Sequence, residues 1–119
     1  MSIPTTSETV VITSPLIKIP VSTCRVWITG SCQLTSGTGT TAVTVRIRRG
    51  TTTAGTLIGA GNSEAIKTAA GSTEPFGLSV VDTLAGADAV QYVLTLQQTA
   101  ATGNGSVLQA ALDVEVLNG

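Results

Sequence analysis

Apolar side chains recur at every second position along most of this chain, and Gly, Thr, Ser and Asn interrupt the alternation at short intervals. That pattern excludes most helical folds, because a helix burying one face needs apolar residues three and four apart. The clearest run is Cys24 to Leu34. Val26, Ile28, Gly30, Cys32 and Leu34 form one face, and Arg25, Trp27, Thr29, Ser31 and Gln33 form the other. Ala42 to Arg49 follows the same rule, with Val43, Val45 and Ile47 facing in and Thr44, Arg46 and Arg48 facing out.

Further strands are expected at Glu8 to Thr13, at Leu16 to Val21 (an edge or irregular strand, because of Pro20) and from Thr56. Phe76 to Thr83 places Phe76, Leu78, Val80 and Asp82 on one side, and Leu84 to Asp88 reads as a loop. Ala89 to Gln98 sets Val90, Tyr92, Leu94 and Leu96 against Gln91, Val93, Thr95 and Gln97. Asn104-Gly105 signals a tight hairpin turn, since both positions tolerate positive φ. In the closing run from Ser106 to Leu117, Leu108, Ala110, Leu112, Val114 and Val116 are expected to face in. Glu64 to Thr68 is ambiguous, and Ala65 to Ala70 is the one stretch where a helix could form. At 119 residues, one domain of about eight strands follows. The expected class is all-β, an antiparallel two-sheet jelly-roll sandwich spanning residues 1–119, with 1–8 as a polar N-terminal arm.

Composition narrows the function classes. Charged residues make up only 11% of the chain, histidine is absent, and the formal net charge is −1. So even a balance offers no field for gathering nucleic-acid phosphates, and no nucleic-acid partner is expected. No run approaches the 18 or more apolar residues of a membrane helix, so no membrane partner is expected either. The first eight residues lack a basic start and an apolar core, which reads as a protein made and used without export. Few charges in a folded chain point to burial between subunits, whose contact surfaces are poor in charge.

The chemistry-bearing residues are sparse. Cys24 and Cys32 lie on one strand, ~26 Å apart at about 3.3 Å per residue, too far for a disulfide. No His or CxxC accompanies them, so no metal is expected. Asp113 and Glu115 share a strand face, which suits two solvated charges better than carboxyls opposed across a cleft. Asp82 and Asp88 flank a loop; they suit local hydrogen bonds and only weakly a Ca²⁺ site. Gly37-Thr38-Gly39 lacks the Lys and helix of a phosphate loop, so no cofactor is expected. With no base to activate a Ser or Thr, no active site and no enzyme are expected.

The candidate interface residues are Arg46, Arg48 and Trp27. Arg46, Arg48 and Arg49 hold half of the six positive charges, and Arg46 and Arg48 project from one face. They suit either a solvated face that discourages edge pairing or a grip on a neighbour's acidic patch. Trp27, Tyr92 and Phe76 are the three aromatics, too few for a typical sugar-binding surface and better suited to core or interface packing.

From about Thr44 to Leu117 the order of elements resembles the small jelly-roll domains of bacteriophage virion proteins. These are similar in turn to the trimeric tumour-necrosis-factor and C1q-like fold. The likeness is carried by Val45 to Thr52, Gly55 to Gly59, Val81-Asp82-Thr83, Gly86, Gln91 to Leu96, Gly103 to Ser106 and Ala111 to Leu117. The resemblance implies a homotrimer in the virion, made in the host cytoplasm. It would be a structural protein that decorates or cements a capsid through the major capsid protein or other virion proteins. The alternative it implies is a receptor- or glycan-binding head domain of a fibre or spike.

Overall fold

The computed structural model describes residues 7–19, 23–37, 39, 41–58, 64–69, 71–85, 89–98 and 105–117. Within them the chain is all-β and its strands pair antiparallel. In chain order they are β1 Thr9–Thr13, β2 Ile17–Lys18, β3 Thr23–Thr35, β4 Thr41–Arg49 and β5 Thr56–Leu57. Then come β6 Glu64–Thr68, β7 Thr73–Ala85, β8 Ala89–Val90, β9 Tyr92–Gln98 and β10 Ser106–Leu117. Seven of these described strands have five residues or more, and β2, β5 and β8 have two each.

One sheet has the order β1-β9-β4, with β5 and β6 both pairing the far side of β4 at opposite ends. The second sheet is β10-β3-β7, and β2 pairs β8 separately. The two larger sheets share one core. Cys24, Val26, Ile28, Cys32 and Leu34 of β3 belong to the same buried cluster as Val43, Val45, Ile47, Tyr92, Leu94 and Leu96. Period-two alternation puts these residues there, because successive side chains of a strand leave by opposite faces. β3 and β7, at 13 residues each, span ~43 Å, which sets the long dimension of a 49 × 23 × 22 Å body.

Where the alternation is broken, bulges are the cause. β10 moves from Val107 opposite Leu34 to Ala110 opposite Cys32, two intervening residues against one on β3. One extra residue reverses side-chain parity. Val107 therefore enters the core, and Leu108, expected inside, stands 56% exposed. A similar shift in β1 between Val10 and Ile12 lets both Val11 and Ile12 pack against the core.

Other expectations change for tertiary reasons. Glu64–Thr68 is a strand, because β4 offers it a pairing edge that overrides any helical preference of its alanines. The strand expected from Phe76 begins at Thr73 and runs on to Ala85, with Pro75 tolerated because β7 lies at the sheet edge. The run expected from Ala89 to Gln98 divides at Gln91 into β8 and β9, which join different sheets. β9 lies between β1 and β4, so Val93 and Thr95 are buried along with Tyr92, Leu94 and Leu96. Among the described residues β9 and β10 pair in different sheets rather than with each other, and residues 101–104 of the expected hairpin turn fall outside the described residues. Of Leu16 to Val21, the described strand is Ile17–Lys18 alone.

Gly30 faces the other sheet with little room to spare: an added Cβ would sit 2.9 Å from Leu94 Cδ1 and 3.6 Å from Leu112 Cδ1. Gly77, beside it on β7, faces outward, and its nearest neighbour for such an atom is the Gly30 carbonyl at 3.7 Å. Gly30→Val should therefore cost about 1–3 kcal/mol through overpacking. Gly77→Thr should leave stability equal or higher, because a β-branched residue replaces glycine in a strand. Denaturant midpoints of the two variants check the contrast.

Candidate interface and its ion clusters

β4 carries three arginines, and its alternation divides them between two faces. Arg46 and Arg48 leave by the outer face of the five-stranded sheet, opposite Thr95 and Val93 of β9. Arg49 continues the inward series of Val43, Val45 and Ile47 at the end of the core. The three residues that look like one basic cluster in sequence thus build two separate sites.

The outer site closes on Glu8, just before β1. Arg48 grips its carboxylate twice, Nε donating to Oε2 at 2.7 Å and Nη2 to Oε1 at 3.0 Å. Arg46 Nη1 donates to Oε1 at 3.2 Å and to Gln97 Oε1 at 2.9 Å. Thr95 Oγ1 donates to Glu8 Oε2 at 2.7 Å, and Arg48 Nη1 also donates to the Gly55 carbonyl at 2.9 Å. The Glu8 side chain is 14% exposed. Burial alone would raise its pKa. Hydrogen bonds from Arg48 and Thr95, with the charges of Arg48 and Arg46, outweigh that and hold it below the usual value. Of the arm at residues 1–8, residues 1–6 lie outside the described residues, while Glu8 is fastened to its own chain.

The inner site joins the two sheets. Arg49 donates from Nε to Asp82 Oδ2 at 2.8 Å and from Nη2 to Oδ1 at 2.5 Å. Tyr92 Oη donates to Asp82 Oδ2 at 2.8 Å. Asp82 belongs to β7, while Arg49 and Tyr92 belong to β4 and β9. Burial and the adjacent Asp82 carboxylate both push the Tyr92 phenol well above its ordinary pKa, so it stays a donor. Asp82 is therefore not a loop carboxylate waiting for a cation: its oxygens are occupied by an arginine and a tyrosine. Asp88 lies outside the described residues.

Trp27 sits on the outer face of β3, between Glu115 of β10 and Val81 of β7. It is 44% exposed and Val81 51%. With Thr29, Asp113, Val114 and Glu115 it lines a shallow depression of about 270 Å³. Elsewhere this face is a field of hydroxyls, Thr29 bonding Ser79 at 3.1 Å and Thr35 bonding Thr73 at 2.9 Å. The other two aromatics go inward, Tyr92 fully buried and Phe76 against the core. Cys24 and Cys32 are free and buried, and burial pushes the Cys32 thiol up to about 12, which makes it a poor nucleophile.

Glu8, Thr95 and Gln97 were not singled out as site residues in the sequence. Thr95 and Gln97 do alternate outward in their strand, but the register bringing them beside Arg46 is a tertiary fact. Asp82 was signalled: its parity with Phe76, Leu78 and Val80 points a carboxylate inward, where it needs a partner. No protein-family model, curated protein or solved structure matches the chain.

Glu8 supplies stability that is full above about pH 4.3, its ordinary unfolded value, and lost as pH falls through its depressed folded value. Glu8→Gln should cost about 1–2 kcal/mol near neutrality. Its melting-temperature deficit against wild type should shrink as the pH approaches about 3. For the inner site, a double-mutant cycle of Asp82→Ala and Arg49→Ala by chemical denaturation should give a coupling of about 1–3 kcal/mol. Asp82→Ala should be the more damaging single change, because it strands both Arg49 and Tyr92.

Proposed function

We propose that this protein is a structural subunit of a virus particle, a homotrimeric decoration or cement protein bound to the outer capsid surface. One observation carries the reading most directly. Arg46, Arg48 and Arg49, which could have served as docking groups, are satisfied within the chain, while among the described residues a hydroxyl-rich sheet face bearing Trp27 stays exposed. A face of hydroxyls around one half-exposed indole suits association, because such aromatic anchors carry much of the energy of protein contacts. The major capsid protein, or another virion protein, is the proposed partner, and the virion the proposed location. No catalytic step forms part of this role.

The jelly-roll wrapping implied by the resemblance belongs to the same proposal. Nested pairs support it: β3 with β10 in one sheet, then β4 with β9 in the other, as when a long hairpin is rolled across two sheets. The lateral pairing of β7 with β3 is a departure from a simple roll.

A second reading has its own observation. The depression beside Trp27 is flanked by Asp113 and Glu115, and an indole with adjacent carboxylates can stack and hydrogen-bond a sugar. That would suit the head domain of a fibre or spike. Adding purified protein to capsids lacking it separates the two readings. Decoration predicts saturable binding in hundreds of copies over the shell. Binding absent from the shell, or binding instead to host cells or soluble glycans with quenching of Trp27 fluorescence, would overturn it.

A further inference from the structure

Two shallow depressions of the β10-β3-β7 sheet differ in charge. One, of about 320 Å³, has Ser31, Gln33 and Gln109 as its polar lining, and among the described residues no acidic or basic side chain lines it. The other, of about 270 Å³, holds Trp27 together with Asp113 and Glu115.

Strand register brings these three side chains together. Glu115 stands directly opposite Trp27, and Asp113 stands opposite Thr29, two residues along the same face. Directly opposed Cβ atoms lie about 4.5–5.5 Å apart and diagonal neighbours about 7–8 Å, so one small group on the indole can reach both carboxylates. Val81 closes the other side of Trp27. Glu8 and Asp82 are each held by arginine within the chain. Among the described residues Asp113 and Glu115 enter no ion pair, and neither does Arg25, one row away between Leu117 and Thr83.

An indole stabilises a fold by leaving water, yet Trp27 is 44% exposed. Its exposed ring attracts a cation through the aromatic quadrupole, and a carboxylate beside it accepts the cation's N–H groups. Arginine meets both demands at once, because the guanidinium is planar, stacks on aromatic faces and presents its donors as a fork. An ammonium is compact and strongly hydrated, so it does less of each.

We propose that the Trp27 depression is a docking site for an arginine side chain of a partner protein, stacked on the indole and hydrogen-bonded to Asp113 and Glu115. The proposal deepens the decoration reading and rests on it only for the partner's identity: the capsid patch that receives this face would be basic. Charge complementarity selects this occupant. A second copy of the chain suits the site poorly, since Arg46, Arg48 and Arg49 are held at home and Arg25 alone would leave one carboxylate of each copy unmatched. A neutral sugar could stack on the indole but would cover two charges without a counter-charge, which is costly.

Trp27 is the sole tryptophan, so its emission reports on the site in the wild-type protein. Titration with a blocked Gly-Arg-Gly peptide should change that emission saturably, with a midpoint of roughly 1 mM for so small a contact. Gly-Lys-Gly should bind more weakly, and Gly-Gln-Gly should have no effect. Asp113→Asn combined with Glu115→Gln, with unchanged circular dichroism in the far ultraviolet, should weaken the arginine peptide by about tenfold. Arg25→Gln should tighten it by about twofold by removing a like charge one row away. Glu74→Gln, at an exposed carboxylate near the far end of β7, should change nothing. An equal response to the glutamine peptide, or one untouched by the double substitution, would overturn the proposal. So would a response to maltotriose with none to the arginine peptide. Arginine-peptide binding by a protein that fails to bind capsids would leave the site standing and remove the decoration role. Capsid binding undiminished by the double substitution would keep that role and overturn the docking site.

Discussion

A single carboxylate holds the two sheets in their relative setting. Asp82 leaves β7 toward the core and there receives both Arg49, at the end of β4, and the hydroxyl of Tyr92, at the start of β9. The hydrophobic contacts between the sheets are numerous but tolerate sliding, because apolar packing is non-directional. A bidentate guanidinium and a phenol on one carboxylate are directional, so they fix which rows of β7 stand over which rows of β4 and β9. The close approach of Gly30 to Leu94 depends on that setting. Replacing the triad with apolar groups could leave the core as stable, but the register would be less well defined.

The Glu8 cluster performs a related task at the other surface. β1 is the edge strand of its sheet, and a short edge strand held by β9 alone would fray. Glu8 bonds side chains of both β4 and β9, extending the hold on the strand across two neighbours. Because the carboxylate, both arginines and Thr95 are mutually satisfied, the cations there are structural. This changes the meaning of the chain's charge scarcity. Three of the six basic residues hold the fold together, so still fewer charges remain to keep the surface solvated.

Much of the fold was legible in the sequence, for a reason specific to β-structure. A strand's alternation states which residues share a face, and it did so correctly for β3 and β4 and for Phe76 to Thr83 of β7, while Leu84, read as loop, continues that strand and its buried face. It failed where parity changes within a strand, as at Leu108, since a bulge inserts a residue without any glycine or proline to mark it. It failed also at β9, where burial on both faces comes from flanking strands that local pattern does not reveal. The candidate site was legible only in part. Trp27 and the two outward arginines stand on the faces expected of them, but the partner of Arg46 and Arg48 lies some forty residues away in sequence. Arg49, grouped with them by adjacency, belongs to the opposite face, a separation that the 180° turn between successive side chains already implies.

The central claim is that the arginines of β4 hold the protomer together, Arg46 and Arg48 through Glu8 and Arg49 through Asp82. A side-chain-resolution experimental structure tests it most directly. The account predicts Glu8 bound by Arg46 and Arg48 of its own chain, and Asp82 by Arg49 and Tyr92. Arg46 and Arg48 turned away from Glu8, toward solvent or toward an acidic group on a neighbour, would contradict it.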